Sequence, residues 1–409
     1  MDKFVLFVFL TVYLGMIAGE IPGLALDRTG VALLGAIVLV ACRRVSPVEA
    51  WQAIDVPTMG LMLGLMVVSA QFRLGGFYSH FTKRLSETDE SPRLLLALVI
   101  AAAALLSALL CNDIICLAMA PVLADGCSRR RLDPVPYLLA LACAANVGSA
   151  ATLIGNPQNM LIGQVLHLRF DTYLIQAAVP TALGLVAVWA VICRRFSGRW
   201  QLETSLPDQP VRPFNGWQTA KGIAVLLALV ITFLVNGWPR EVVALAAAGI
   251  LLTSRRMASR DMLQLVDWQL LVLFAGLFIV NHAMQQSGNL DRVFEGFRSA
   301  GIDPEQPASL FVLSVILSNI VSNVPATMLL LPCATHPLAG PVLALSSTLA
   351  GNLLIVGSIA NIIVVDQASR LGLSITWRDH AIVGVPVTML TLAIAAVWLL
   401  ALAWWWPCA

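Results

Sequence analysis

Four short polar strings stand inside otherwise apolar runs, and their composition suits ion and solute binding. Two are compact: Cys111-Asn112-Asp113 and Ser322-Asn323-Val324-Pro325. The other two are longer, running from Asn146 through Gly155-Asn156-Pro157-Gln158-Asn159, and from Ser346 through Gly351-Asn352 and Gly357-Ser358 to Asn361. Gly and Pro interrupt a helical hydrogen-bond ladder, and the freed backbone groups need partners or a wet cavity. The N-terminus of a half-helix carries about half a positive charge and suits an anion, whereas unwound carbonyls and a helix C-terminus suit a cation. Asn and Ser side chains add neutral donors and acceptors. The candidate contacts for an anion are Asn112, Asp113, Thr152, Asn156, Ser322, Asn323, Thr348 and Ser358. For a coupling cation they are Asp113, Ser149, Gly155, Asn159, Gly351, Asn352, Gly357 and Asn361. One tip alone could simply cap the second leg of a hairpin. Four matched strings argue for a shared site.

The strings are matched because the chain is written twice. Arg28, Val31, Asp55 and Gly64 recur as Arg240, Val243, Asp267 and Gly276, 212 residues on. Ser107, Asn112 and Pro121 recur as Ser318, Asn323 and Pro332 at a shift of 211, and Gly155 and Asn159 as Gly357 and Asn361 at 202. The drift reflects a shortened loop. Duplicated halves in an apolar chain are the pattern of secondary transporters, whose sites lie where the repeats meet.

Hydrophobic residues make up 59% of the 409 and charged residues only 12%, about half the usual share for a soluble domain. The chain therefore reads as an all-α polytopic membrane protein. Candidate spans are 4–22, 29–41, 57–72, 137–166 and 172–193, repeated as 222–238, 242–253, 268–284, 341–366 and 381–406. The first could pass for a signal peptide, with Ala18 and Gly19 as small residues near a cleavage point, but its counterpart beginning at Gly222 could not.

Each half holds one more apolar block, 94–124 and 310–334. If both return to the side they entered from, the 25 basic residues divide 18 to 7 between the two faces; if both cross, the division is 14 to 11. Positive residues gather on the cytoplasmic side, so the first division is favoured. Each half then has five spans and one re-entrant hairpin. An odd number of crossings turns the second half upside down, giving an inverted repeat in a cytoplasmic (inner) membrane with both termini outside.

The expected division is 1–92 for the first three spans and interfacial arm of repeat 1, and 93–196 for its hairpin, broken helix and last span. A linker, 197–218, with Pro207, Pro210 and Pro213, leads to 219–306 and 307–409 as the corresponding parts of repeat 2. Leu290, Val293, Phe294 and Phe297 follow the i, i+3, i+4, i+7 pattern of an interfacial amphipathic arm, with Phe77, Phe81 and Leu85 as the equivalent in repeat 1. Gly60 and Gly64 read as a close helix contact.

Net charge is +2, so no nucleic-acid partner is expected. The eight cysteines form no C-x-x-C pair and read as small buried hydrophobes. No His/Cys/carboxylate group stands at ligand spacing, so neither a metal cofactor nor an enzyme is expected. A channel would share re-entrant loops, but two inverted sites in one chain fit alternating access better.

The segments SALLCNDIICLAMAP at 107–121 and SNIVSNVPATMLLLP at 318–332, with GSAATLIGNPQNMLI at 148–162 and AGNLLIVGSIANII at 350–363, resemble the hairpin and unwound-helix motifs of the ion transporter superfamily. That group includes divalent anion/sodium symporters, citrate-type permeases, arsenite permeases and sodium/proton antiporters. The resemblance covers nearly the whole chain. It implies a homodimeric elevator, in which the first three spans of each half form a scaffold while the hairpins and last two spans carry the substrate. It also implies a sodium or proton gradient as driving force. Asn112 and Ser322-Asn323 match the Ser-Asn-Thr tips of the dicarboxylate branch, and Cys111, Asp113 and Val324 depart from them. The alanine-asparagine-aspartate tip of arsenite permeases is closer to Cys111-Asn112-Asp113, and their Asn-x-Pro to Asn323-Val324-Pro325. A charged carboxylate at mid-membrane costs about 2.5–3.5 kcal/mol on insertion scales, so Asp113 is expected either to exchange a proton or to cap first-turn N–H groups. The expected activity is gradient-coupled carriage of a small anion or metalloid oxyanion, with sodium/proton antiport as the alternative.

Overall fold

The computed structural model describes residues 2–19, 25–87, 90–201, 213–235, 237–254 and 256–405. The expected end of the first span at Pro22, most of the linker with Pro207 and Pro210, Arg255, and the last span's end at Trp406 lie outside the described residues. Apart from one antiparallel bridge, Leu132 to Gln201, the regular structure among the described residues is helical.

Repeat 1 begins with α1 (Lys3–Ala18), α2 (Arg28–Ala41), the short α3 (Pro47–Ala53) and α4 (Val56–Leu74). There follow α5 (Phe77–Ser86), α6 (Pro92–Leu109), α7 (Asn112–Arg129), α8 (Pro134–Ser149), α9 (Pro157–Val165) and α10 (Phe170–Arg195). Repeat 2 runs α11 (Gly216–Val235), α12 (Arg240–Leu252), α13 (Ser259–Leu263), α14 (Trp268–Gln286) and α15 (Asn289–Ser299). It continues with α16 (Pro307–Val321), α17 (Asn323–Leu330), α18 (Ala339–Ala350), α19 (Ile359–Arg370) and α20 (Trp377–Trp405). Among the described residues, six helices are long and apolar enough to cross a bilayer: α4, α6, α10, α11, α14 and α20. Helix α6, the first leg of the first hairpin, is one of them at 18 residues, whereas its counterpart α16 has 15.

The local reasons for these boundaries repeat between halves. Asp55 caps α4 by accepting from Thr58 N at 2.7 Å, and Asp267 caps α14 by accepting from Leu270 N at 2.9 Å. Such a cap contributes about 1 kcal/mol. Proline occupies the first turn of α6 and α16, where its missing N–H costs nothing. Gly76 and Gly288 both take left-handed backbone just before α5 and α15. These two helices are the amphipathic arms. In α15, Leu290 and Phe294 are buried but Val293 is exposed, and in α5 the most buried side chains are Tyr78 and Thr82. Phe77, Phe81 and Leu85 in α5 and Phe297 in α15 are partly buried against the core, so the expected faces hold except at Val293; α5 packs on α7 and α15 on α14.

Packing between halves is reciprocal. Helix α2 packs on α14, and α4 on α12. A Cβ on Gly64 would lie 2.5 Å from the Ala244 backbone, and one on Gly276 would lie 2.8 Å from the Ala32 backbone. Both glycines permit backbone contact that any side chain would wedge open. Gly64 pairs with Gly276, and Ala32 with Ala244, at the same shift of 212. The interrupted helices cross over likewise: α9 packs on α17 and α18, and α19 on α7 and α8.

Candidate functional site

The chain unwinds between α8 and α9, and again between α18 and α19. Pro157 at the start of α9 has no N–H to continue a ladder, and Gly155 lets the backbone fold back so tightly that a Cβ there would lie 2.3 Å from Ser149 O. Asn156 restarts the helix by accepting from Asn159 N at 2.9 Å. The turned-back segment is then held by Asn159, whose Nδ2 donates to Thr152 O at 3.0 Å. Asn361 does the same in repeat 2, donating to Gly351 O at 2.8 Å and Leu354 O at 3.1 Å.

The two breaks are locked together through residues at matching positions. Asn146 Nδ2 donates to Asn352 Oδ1 at 2.8 Å and to Asn361 Oδ1 at 3.2 Å, while its Oδ1 accepts from Ser358 Oγ at 2.9 Å. Thr348, 202 residues after Asn146, reaches the other way: its Oγ1 accepts from Asn156 Nδ2 at 3.3 Å and from Gln158 Nε2 at 3.2 Å, and donates to Asn159 Oδ1 at 3.3 Å. Each half therefore sends one side chain from the end of its intact half-helix into the other half's unwound segment.

Both hairpin tips join this network. The backbone N–H of Asn112 donates to Gly155 O at 3.1 Å, and its Nδ2 donates to Asn146 Oδ1 at 3.0 Å. Asn323, with its amide turned so that both ends are satisfied, donates to Ser347 O at 3.0 Å and Gly357 O at 3.3 Å. Thr152 Oγ1 donates to Ala108 O on the first hairpin, and Ser149 Oγ accepts from Asn156 Nδ2 at 2.9 Å. Thus Asn112, Ser149, Thr152, Gly155, Asn156, Asn159, Asn323, Thr348, Gly351, Asn352, Gly357, Ser358 and Asn361 belong to one hydrogen-bonded assembly. Nearly all are buried.

Asp113 and Ser322 stand apart. The Asp113 side chain is half-buried and has no hydrogen bond or ion pair among the described residues. The N-cap position of α7 is Cys111, whose side chain makes no capping bond. Capping is therefore not what Asp113 does in this conformation. Ser322 sits at φ 79, ψ 160, a region essentially reserved for glycine, between the two legs of the second hairpin. Its counterpart Cys111 has an ordinary φ of −57. Strain is thus stored at one tip and not at the other.

Several participants were not singled out from sequence. Asn146 lay inside a recognised string, and its alignment with Thr348 was the available signal. Tyr173 Oη donates to Ala150 O at 2.8 Å, and His380 Nε2 contacts Asn352 O at 3.0 Å. Ala150 and Asn352 are counterparts at a shift of 202, so each last span supplies a polar side chain to the same carbonyl. Asn352 Nδ2 is buried without an acceptor among the described residues. An unsatisfied buried amide donor costs about 1–3 kcal/mol, and the same side chain's oxygen accepts from Asn146.

Chemically, the N-termini of α7, α9, α17 and α19 converge on this assembly. Each end is worth about 0.3–1 kcal/mol to a nearby anion, more when partly buried. Carbonyls of the unwound strands supply the opposite polarity. Interrupted helices meeting end to end inside a helical membrane protein are the architecture of a secondary transporter.

The chain belongs to the citrate transporter family, whose family model matches residues 4–341. It is 26% identical to a 46 kDa membrane protein of Mycobacterium leprae, over 91% of this chain and 93% of that one. It is likewise 26% identical to the silicon efflux transporter LSI3 of Oryza sativa, over 92% and 93%. Identity to the inner membrane protein YbiR of Escherichia coli is 29%, over 81% of this chain and 85% of the other. Among solved structures, the YdaH transporter of Alcanivorax borkumensis shares the fold at a TM-score of 0.60 and 13% identity, covering 99% of this chain and 98% of that one. The family is one of anion and oxyanion carriers in membranes.

Proposed function

We propose that the protein couples a proton or sodium gradient to movement of a small anion, or of a metalloid oxyanion, across the cytoplasmic membrane. The observation that carries this reading is the interlock of Asn146 and Thr348, each reaching into the other half's break, with a spare buried donor on Asn352, whose oxygen Asn146 holds. Neutral amides and helix N-termini bind an anion without burying a permanent counter-charge. The substrate would contact Asn112, Asp113, Thr152, Asn156, Ser322, Asn323, Thr348 and Ser358. The coupling ion would meet Asp113, Ser149, Gly155, Asn159, Gly351, Asn352, Gly357 and Asn361. A relative named as a silicon efflux transporter supports keeping metalloid oxyanions in the test set.

The architecture that makes this work is an inverted-repeat elevator. Residues 1–92 and 219–306 form the scaffold, 93–196 and 307–409 the moving part, and 197–218 the linker. Two copies form a dimer with all termini outside. Support comes from reciprocal packing at Gly64 and Gly276, and from the crossing of α9 and α19 into the opposite half.

Purified protein in liposomes, with imposed sodium or pH gradients and a panel of labelled citrate, dicarboxylates, arsenite and silicate, tests the proposal. Saturable, gradient-dependent uptake with counterflow is expected for one class. The free carboxylate of Asp113 favours a second reading, sodium/proton antiport. Sodium-driven proton flux in the absence of any panel anion would select it.

A further inference from the structure

The two halves differ at one pair of corresponding contacts. Arg240, the first residue of α12, donates through Nη2 to Gly163 O in the last turn of α9. Beside it, Gln164 Nε2 donates to Glu241 Oε2 at 3.1 Å, and Gln164 is only 8% exposed. Helix α9 also packs along α4. The guanidinium thus sits on a helix C-terminus, where a cation is favoured.

The corresponding residues in the other half are Arg28 and Thr29 for Arg240 and Glu241 at a shift of 212, and Val365 and Asp366 for Gly163 and Gln164 at 202. Here the contact is open. Arg28, first residue of α2, has no hydrogen-bond partner among the described residues. The side chain of Asp366 is 48% exposed and pairs with Arg370 on its own helix at 2.9 Å. Helix α19 has no packing on α14 comparable to that of α9 on α4.

We propose that in the opposite-facing state Arg28 reaches the Val365 carbonyl, as Arg240 reaches that of Gly163, and that Asp366, which has Thr29 opposite it where Gln164 has Glu241, pairs with the Arg28 guanidinium; this bridge replaces the one from Arg240 and Glu241 to Gly163 and Gln164. The inference rests on the inverted-repeat elevator reading above. In an inverted repeat, exchanging the halves exchanges the membrane faces, so a contact made by one half in one state is made by its counterpart in the other. The chemistry supports the exchange. Arg28 and Asp366 are opposite in charge, and the exposed pair that Asp366 would surrender is worth only about 0–1 kcal/mol. The two bridges would hold the moving part at alternate ends of its travel.

Two cysteine pairs in a chain whose eight native cysteines are replaced by Ala or Ser test this. The pair Gln164→Cys with Glu241→Cys should cross-link with a short thiol reagent, as should Arg28→Cys with Asp366→Cys. Each cross-link should stop transport reversibly, and fixing one pair should prevent the other from forming. In the native-cysteine chain, Arg28→Asp or Asp366→Arg should slow exchange roughly fivefold, and the two together should restore it. If the Gln164–Glu241 cross-link leaves transport intact, the moving-part reading fails and the inference with it. If that cross-link blocks transport while the second pair never reacts and the charge swap gives no rescue, the inference alone is overturned.

Discussion

The Asn146 amide is the residue whose loss reports most directly on the interlock. Replacing it by Ala removes four side-chain hydrogen bonds: those to Asn352 and Asn361, and those from Asn112 and Ser358. Interhelical polar contacts in membrane proteins average about 0.6 kcal/mol each, which sets a floor near 2 kcal/mol. Leaving the Asn352 and Asn361 oxygens buried without donors would add about 1–3 kcal/mol each if neither could turn to another partner. The expected loss of unfolding free energy, measured by denaturant titration in mixed micelles, therefore lies between about 2 kcal/mol, if both oxygens find other donors, and about 8 kcal/mol, if neither does. Transport in liposomes should fall with it, because the hairpin tip at Asn112 loses one of its two anchors on the break, keeping only its backbone bond to Gly155 O. The comparison that isolates the interlock is Asn146→Thr. Thr348 performs the matching role in repeat 2 with a hydroxyl, so Thr at position 146 should recover part of both losses, whereas Val should not. Equal stability for Ala and wild type, or equal behaviour of Thr and Val, would refute the idea that this position ties the halves together.

Three further outcomes are expected. Asp113→Asn should abolish the pH dependence of gradient-driven flux while leaving the fold unchanged, since no bond to the carboxylate is present to lose; an unaltered pH profile would remove Asp113 from coupling. Ser322→Gly should stabilise the protein by about 1 kcal/mol by relieving the backbone at φ 79, read as a rise in the thermal midpoint in detergent. Gly276→Val should destabilise by about 1–3 kcal/mol, because its side chain meets the Ala32 backbone rather than a flexible neighbour. Gly249→Val, with nothing within 4 Å of its Cβ position, should cost far less in the same measurement.

Much of the fold was legible because equivalent positions in the two halves face the same local problem. Asp55 and Asp267 were matched in sequence and cap matching helices; Gly64 was read as a close contact and makes one, as does its counterpart. The polar strings were legible because Gly, Pro and Asn inside apolar runs have few structural uses. The arms were legible as amphipathic and most of their expected faces pack on the core, but the full burial of Tyr78 and Thr82 and the exposure of Val293 were not, since periodicity does not say which helix an arm meets. Tyr173 and His380 gave no signal of equivalence, being different residue types at a spacing of 207 that matches none of the repeat shifts. The backbone of Ser322 gave none either, because Ser at a tip reads as an ordinary cap.

The deepest gap concerns contacts between the halves. A repeat tells which residues correspond, Asn146 with Thr348 and Asn159 with Asn361, but correspondence is a mapping and carries no distance. Whether Asn146 meets its own half's Asn159 or the other half's Asn361 depends on how the two halves pack. Helix α9 lies against α17 and α18, and α19 against α7 and α8, so each break is completed by the other half's. One consequence is physical. Neither unwound segment satisfies its polar groups alone: Asn156 and Asn159 need Thr348, and Asn352, Ser358 and Asn361 need Asn146. In a low-dielectric interior such mutual dependence makes the two breaks a single hydrogen-bonded unit.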